Sequence, residues 1–201
     1  FDTAQLFALG GVHHDTGLEY PVVPLGGIDY FNFNLLKKGI QTNVFFPGVV
    51  LAANATHPNV GGTHTNMGLD FFGIAVPTEN AMYRNGIERP EEGVKARPMG
   101  LFFRTGHPFA QFGKIDLSFG VSHQTYQEGD DTAATFVVPC STFTVTPGVE
   151  LRYARRGWSL SASYDYTRRS EWTPWGDATT GFAEYSPDQK TYARFGASLG
   201  K

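Results

Sequence analysis

The stretch VTPGVELRYARRGWSLSASYDYTRR, residues 145–169, decides which fold class the sequence predicts. Nearly every second residue is apolar or aromatic, from Val149 to Tyr153 and again from Trp158 to Tyr166, with Ser, Thr, Glu, Arg and Asp between them. Because successive side chains of a strand point to opposite faces, this alternation predicts two strands, each with one apolar and one polar face. The segment ARRG, residues 154–157, predicts a four-residue turn that joins them into a hairpin.

Each predicted strand has about ten residues, close to the length of a tilted strand that spans a membrane. The composition of 17 Phe, 9 Tyr and 24 Gly favours strands and turns over helix. No apolar run approaches the roughly 18 residues of a membrane-spanning helix. The mean hydropathy of −0.25 is compatible with a membrane barrel, whose polar lumen offsets its lipid-facing residues.

Charge and cysteine content limit the classes of protein to which the chain could belong. The formal net charge is −3 and the charged residues are scattered, so we expect no nucleic-acid partner, which would require a clustered basic face. The single Cys140 rules out an intramolecular disulfide. The chain begins at Phe1 and ends within an alternating pattern, from which we expect residues 1–201 to be one partial barrel domain of a longer protein.

The same alternation recurs along the chain. It is clearest in residues 114–122 and 191–200, and weaker candidate strands are residues 5–13, 27–34, 40–46, 49–55, 65–75 and 96–105. Short connections alternate with long polar ones, which is typical of bacterial outer-membrane barrels: the short ones are residues 35–39, 107–113 and 154–157, and the long ones are residues 127–141 and 168–190.

The middle of the chain leaves two interpretations open. Either Pro47 and Gly48 form a tight turn between two short strands, or residues 40–55 form one long strand followed by an extended loop region that carries residues 65–75. In both interpretations residues 77–98 are predicted to be a loop.

A soluble β-sandwich also alternates, so the polar faces decide between the two architectures. The polar side of a sandwich meets bulk water and is usually rich in Lys and Glu. Here the polar positions are mainly Ser, Thr, Gly, Tyr and Gln, which suits a crowded lumen. Tyr153 and Trp158 near the turn, with Tyr164 and Tyr166 towards the far end, match the aromatic rows at the two interfaces of a bilayer. A membrane barrel is therefore favoured over a sandwich.

Two segments resemble known outer-membrane barrels. DYFNFNLLKKGIQTNVF, residues 29–45, resembles a hairpin of the BamA-type superfamily, which includes the bacterial surface antigen family and the two-partner secretion transporters. Asn34, Leu35 and Gly39 match the family turn, whereas Lys37-Lys38 stand where a Gly is common. TGHPFAQFGKIDLSFG, residues 105–120, is similar to the family's periplasmic turn, with His107-Pro108-Phe109 in place of Asn-Pro-aromatic. The resemblance implies the N-terminal half of such a barrel.

No catalytic, cofactor or metal site is expected. His13, His14 and Asp15 are adjacent, but neighbouring strand residues face opposite sides and could share an ion only in a loop. Ser122 and His123 diverge for the same reason, and no third group is at hand to complete a catalytic set. We therefore expect that the protein is not an enzyme.

The alternation assigns two sets of site residues. The predicted lumen-facing polar residues, which can pair across neighbouring strands, are Lys114, Asp116, Glu150, Arg152, Asp165 and Arg194. We hypothesise that Arg152 and Asp165 belong to such a network. The predicted lipid-facing or interface residues are Ile115, Leu117, Phe119, Val149, Leu151, Tyr153, Trp158, Leu160, Tyr164 and Phe195.

The sequence thus predicts an all-β, antiparallel, up-and-down transmembrane β-barrel, present here as an open half-barrel of about eight strands. The resemblance implies a protein of the bacterial outer membrane that assembles other outer-membrane proteins or translocates proteins. Its partners would be outer-membrane lipid and unfolded outer-membrane proteins or secreted substrates, and residues 5–13 would be its first strand. A passive porin or structural barrel, or a soluble sandwich with a binding role, stay open as alternatives.

Overall fold

The computed structural model describes residues 4–14, 22–177 and 190–201. No described residue lies in an α-helix, and two 3-10 turns, Val60–Gly62 and Pro90–Glu92, interrupt the strands. In chain order the strands are β1 Ala4–His14, β2 Val22–Leu35, β3 Ile40–Phe46, β4 Val50–His57, β5 Asn66–Ile74, β6 Thr78–Asn80, β7 Tyr83–Arg84, β8 Ile87–Glu88, β9 Val94–Phe109, β10 Gly113–Glu128, β11 Phe136–Val137, β12 Thr142–Arg155, β13 Trp158–Arg169, β14 Gly176–Asp177 and β15 Thr191–Gly200.

The long strands form one antiparallel sheet of eleven strands in the order β1-β2-β3-β4-β5-β9-β10-β12-β13-β15, with the short β6 attached to β9. The predicted all-β, antiparallel, up-and-down arrangement is therefore confirmed at this level. The sheet is not closed into a barrel: β1 pairs with β2 and β15 pairs with β13, which leaves each with an open edge within the described part of the chain.

The predicted count of about eight strands is wrong. Pro47 and Gly48 form a tight turn in which Gly48 has a φ of 96°, so residues 40–46 and 50–57 become two short strands that pair with each other. The alternative of one long strand over residues 40–55 is excluded. The predicted loop, residues 77–98, contains β6, the β7–β8 hairpin and a 3-10 turn, and its last five residues belong to β9.

The turn at ARRG is tighter than the predicted four residues. β12 continues to Arg155 and β13 begins at Trp158, so only Arg156 and Gly157 lie between them. Their φ angles are 51° and 81°, the left-handed conformation that a two-residue type I′ hairpin requires at both central positions. The twist of such a turn matches that of the flanking strands, which explains why the hairpin pairing extends to its last residue.

Connections differ at the two ends of the sheet. At one end, here the turn end, the strands are joined by residues 36–39, 58–65, 110–112 and 156–157. The other end, here the loop end, carries one tight turn at residues 47–49 and the long connections, which include residues 75–93, 129–141 and 170–190.

Buried apolar side chains lie at the loop end. Within residues 4–14, 22–177 and 190–201, the buried apolar side chains include Val94, Ala96 and Phe136, at 1–5% exposure. The chain exposes 13426 Å² in total, whereas a compact monomer of this mass would expose about 9,300 Å². The strands therefore do not enclose an ordinary hydrophobic core.

Candidate functional site

The strand register brings all six predicted lumen-facing residues to one face of the sheet, here the polar face. Side chains of directly opposed residues share a face. Asp116 lies opposite Glu150, and Lys114 lies opposite Arg152. Asp165 lies opposite Arg194 and, on its other side, opposite Gly148, which stands two positions before Glu150. The structure thus assembles this set on one surface; whether that surface lines a lumen stays a prediction.

Asp116 is the centre of the densest ion-pair cluster on the polar face. Nε and Nη2 of Arg152 donate to Asp116 Oδ2 at 3.1 and 2.5 Å, and Lys114 Nζ lies 2.7 Å from Asp116 Oδ1. Arg152 Nε also lies 3.6 Å from Glu150 Oε1. Two cations and two carboxylates on β10 and β12 therefore neutralise one another.

A second ion pair joins β13 and β15, where Arg194 Nε lies 3.7 Å from Asp165 Oδ2. Arg152 and Asp165 therefore each belong to a cross-strand ion pair, with Asp116 and Arg194 as their respective partners.

A third pair was not predicted from the sequence. Arg104 on β9 donates from Nε at 3.0 Å and from Nη2 at 2.6 Å to Asp70 Oδ2 on β5. The alternation that would have revealed it is masked by Phe102, which lies two positions from Arg104 and shares the polar face. The Phe102 ring lies across the glycine backbones of Gly100 and Gly120, within 2.8 and 2.9 Å of the positions that their Cβ atoms would occupy.

Glycines provide the space in which the carboxylates lie. A Cβ on Gly106 would collide with the Asp116 carboxylate and would come within 2.5 Å of Asn66 Oδ1. A Cβ on Gly148 would collide with the Asp165 carboxylate and would come within 2.5 Å of Ser118 Oγ. Both carboxylates therefore lie low over the backbone of the neighbouring strand, where a larger residue would exclude them.

The polar face is hollow. A cavity of about 560 Å³ opens over β5, β9, β10, β12 and β13, and its lining includes Arg104, Lys114, Asp116, Arg152 and Asp165. A second hollow of about 460 Å³ continues across the same face from Asp70 to Arg194. These hollows identify the polar face as the concave side of the sheet.

The opposite face, here the apolar face, carries all ten residues predicted to meet lipid or its interface. Ile115 and Leu117 lie opposite Leu151 and Val149, Tyr153 lies opposite Leu160, and Tyr164 lies opposite Phe195. Phe119 and Trp158 have the same strand parity. Ile115 and Val149 are partly buried by their neighbours, and the other eight are exposed, from 40% at Tyr153 to 72% at Phe195.

Aromatic and basic side chains cluster at the turn end of this surface. Phe112 packs edge-to-face with Tyr153 at 6.4 Å, and the Arg155 guanidinium lies 5.0 Å from the Phe112 ring centre. Lys201 Nζ lies 5.0 Å from the ring centre of Trp158. Amphipathic rings with cations beside them are typical of a membrane–water interface.

At the loop end, connections pack over the polar side of the strands. Phe136 on β11 packs against Trp175, and Trp175 against Trp172, both edge-to-face at 6.3 Å. Thr142, 3% exposed, donates its hydroxyl to the Glu171 carbonyl at 2.8 Å. We call residues 129–141 and 170–177 the loop layer. Hydrogen bonds and ring contacts hold these two segments together.

One ion pair ties the loop layer to the sheet. Lys95, at the loop end of β9 and beyond the aromatic rows, donates to the Asp130 carboxylate. This hydrogen bond raises the pKa of the Lys95 ammonium above its ordinary value.

Of the metal and catalytic candidates, Ser122 and His123 have side chains within the described residues. Within the described ranges, no group of three or more His, Cys, Asp or Glu residues converges in a way that could hold a metal ion. The side chains of His13 and His14, and all of Asp15, lie outside the described residues. Ser122 belongs to the polar face and His123 to the apolar face, so they cannot act together.

Comparison with known proteins found no matching family model, no matching curated protein and no matching solved structure. In the part of the chain that the structure describes, no helix has the length and apolar character needed to cross a membrane.

Proposed function

We propose that this chain forms part of the wall of a transmembrane β-barrel in the outer membrane of a double-membraned bacterium, with its apolar face in lipid and its polar face towards an aqueous lumen. One observation carries the proposal: a continuous exposed apolar face lies behind a concave face lined with ion pairs. Lipid satisfies the first surface and water satisfies the second.

The dimensions of the apolar face support this orientation. Trp158 and Tyr166 are separated by eight residues of β13, about 26 Å along the strand at the usual rise per residue. That span is close to the roughly 25 Å apolar band of outer-membrane barrels, which aromatic rows flank on both sides. Apart from the tight turn at residues 47–49, the longest connections lie at the loop end and shorter ones at the turn end, as in that architecture.

A soluble sandwich fits the surface less well. It would require a second layer over the apolar face, and no described element packs on Leu117, Leu160 or Phe195, which are 49%, 51% and 72% exposed. A sheet with one exposed apolar face of this extent would associate in water.

By its resemblance to the surface-antigen and BamA-type barrels, we further propose that the protein assembles outer-membrane proteins or translocates proteins. By that resemblance β1 would be the first strand of the barrel, and the unpaired N–H and C=O groups of an edge strand can template an incoming strand. The second candidate is a passive channel, which the charge-lined concave face favours because a polar lining keeps water in a lumen.

Adjacent single-cysteine variants test the orientation. In a Cys140→Ser background, Leu160→Cys and Ser161→Cys place an environment-sensitive fluorophore at neighbouring positions on opposite faces. In phospholipid vesicles we expect blue-shifted emission at residue 160, with quenching by lipid-borne quenchers, and water-like emission at residue 161. Equal emission at both positions, or a monodisperse protein without detergent, would contradict the membrane proposal.

Assembly and passive conduction are separated by a functional assay on the same vesicles. An assembly role predicts that vesicles containing the protein accelerate insertion of an added unfolded outer-membrane protein relative to empty vesicles. Ion conductance without any acceleration would support the passive channel and overturn the assembly role.

A further inference from the structure

We infer that the polar face attracts and holds small oxyanions, carboxylate or phosphate, at its exposed guanidinium groups, so that the lumen favours anions over cations. This inference rests on the proposed barrel function and names the class of solute that its lumen selects. It follows from how the charges are exposed rather than from how many there are.

The charges of the ion-pair region are balanced in number. Four cations, Arg104, Lys114, Arg152 and Arg194, accompany four carboxylates, Asp70, Asp116, Glu150 and Asp165. A count of charges alone would therefore predict a surface without preference.

Exposure breaks this balance. The side chain of Arg104 is 65% exposed and that of its partner Asp70 is 31% exposed. The corresponding values are 50% for Arg152 against 19% for Asp116. They are 70% for Arg194 against 32% for Asp165. In all three cross-strand pairs the cation is the more exposed partner, whereas the other two charges, Lys114 at 36% and Glu150 at 41%, are about equally exposed.

The backbone explains the asymmetry for two of these pairs. Asp116 and Asp165 lie low over the space left by Gly106 and Gly148, whereas the longer arginines extend above them. Each pair is therefore a dipole whose positive end is directed away from the sheet. At physiological salt the field of an exposed charge is screened within about 8 Å. A solute near the surface therefore interacts more strongly with the nearer cation than with the deeper carboxylate.

The arginines also keep donors for a ligand. Arg104 and Arg152 use Nε and Nη2 towards their carboxylates, and Nη1 of each has no hydrogen-bond partner among the described residues. A guanidinium carries five N–H donors in a fixed planar fork that suits carboxylate and phosphate oxygens. The partner carboxylate fixes the orientation of the fork, which lowers the entropic cost of binding an anion.

One cavity brings these cations together. Arg104, Lys114 and Arg152 all line the cavity of about 560 Å³, which is large enough for a hydrated oxyanion. Asp116, Glu150 and Asp165 line the same cavity, so an anion preference there depends on Arg104 and Arg152 being more exposed than Asp116 and Asp165.

Ion-specific quenching at residue 161 tests the inference. Ser161 lies opposite Arg152 on the polar face, outside the ion pairs, so a fluorophore on Ser161→Cys samples the solution beside Arg152. In vesicles we expect the ratio of quenching by iodide to quenching by caesium to exceed that of the free dye by on the order of two- to fivefold. Added inorganic phosphate should reduce quenching by iodide, because it competes with iodide for the arginines.

Two arginine variants and a distant control make the result specific. Arg152→Gln and Arg104→Gln should each lower the ratio, whereas Lys37→Gln removes an equal charge from the exposed turn 36–39 and should leave it unchanged. A ratio equal to that of the free dye, or one that neither arginine variant changes, would overturn the anion preference. Failure of the barrel itself is seen separately, as quenching of the Leu160→Cys fluorophore by both aqueous ions.

Discussion

The loop layer and the strand bodies use apolar residues in opposite ways. Phe136 in the loop layer is 5% exposed and packs against Trp175, whereas Phe195 in β15 is 72% exposed with no ring contact among the described residues. The loop layer buries its central ring against other protein groups, as water-soluble proteins do. The strand bodies place their rings outside, and in the proposed barrel lipid would cover them.

Under the proposed function, this difference means that the two regions are stabilised in two different solvents. In water, burial of a Phe or Leu side chain contributes about 1.5–3 kcal/mol relative to exposure. The strand bodies forgo that contribution within the chain at Leu117, Leu160 and Phe195. They regain it only if lipid covers the apolar face, and we expect the two regions to respond to opposite perturbations.

Removing the ring at the centre of the loop layer has the largest expected effect. Phe136→Ala should destabilise the loop layer by about 3–5 kcal/mol, because it leaves a cavity beside Trp175. The sheet should stay folded, since the strand bodies do not depend on this packing. Hydrogen exchange in vesicles measures both regions, and faster exchange should be confined to residues 129–141 and 170–177.

The adjacent Val137 offers a matched control. It is 41% exposed on the same short strand, and Val137→Ala should change loop-layer stability by less than about 0.5 kcal/mol. If Phe136→Ala accelerated exchange equally in β12 and β13, the two regions would be one cooperative unit and the comparison would fail.

A charge on the apolar face is the next largest perturbation. Leu151 is 46% exposed on β12, between the aromatic rows, and Leu151→Arg should cost about 2–4 kcal/mol in vesicles because it places a cation in the hydrocarbon. Ser161→Arg puts the same side chain on the polar face and should cost about 1 kcal/mol or less, mainly through the lost hydrogen bond to Ser198. Urea titration in vesicles gives both values, and equal costs would exclude a lipid-facing surface.

The division into two faces could be predicted from the sequence where alternation is strict. In β10, β12, β13 and β15 the polar positions carry Ser, Thr, Gly and charged residues, so parity alone sorted all sixteen predicted residues onto the faces where the register places them. The sequence did not predict uniquely where the short strands β3 and β4 end and begin. The dipeptide Pro47-Gly48 is compatible both with a turn and with a bend within one strand.

The alternating pattern did not identify the polar face where an aromatic ring lies on it. In β9 the sequence GLFFRTG contains Phe102 and Phe103 side by side, which hides the polar position of Arg104. Phe102 lies there because Gly100 and Gly120 leave room for its ring, a contact between strands that no local pattern encodes. The Asp70–Arg104 pair was missed for that reason. The loop layer was missed because its contacts join segments more than 30 residues apart in the chain, such as Phe136 and Trp175.

A glycine beneath a carboxylate offers the smallest and most specific perturbation. Gly148→Ala should cost about 1–3 kcal/mol, since the new Cβ meets the Asp165 carboxylate and Ser118 Oγ. Gly10→Ala is the matched control, because nothing lies within 4 Å of its added Cβ, and it should be neutral or slightly stabilising. Urea titration in vesicles gives both values.

Beyond stability, Gly148→Ala should raise the Asp165 carboxylate towards the lumen and so lower the iodide-to-caesium quenching ratio at residue 161. A destabilised variant with an unchanged ratio would mean that the depth of the carboxylates does not set the anion preference.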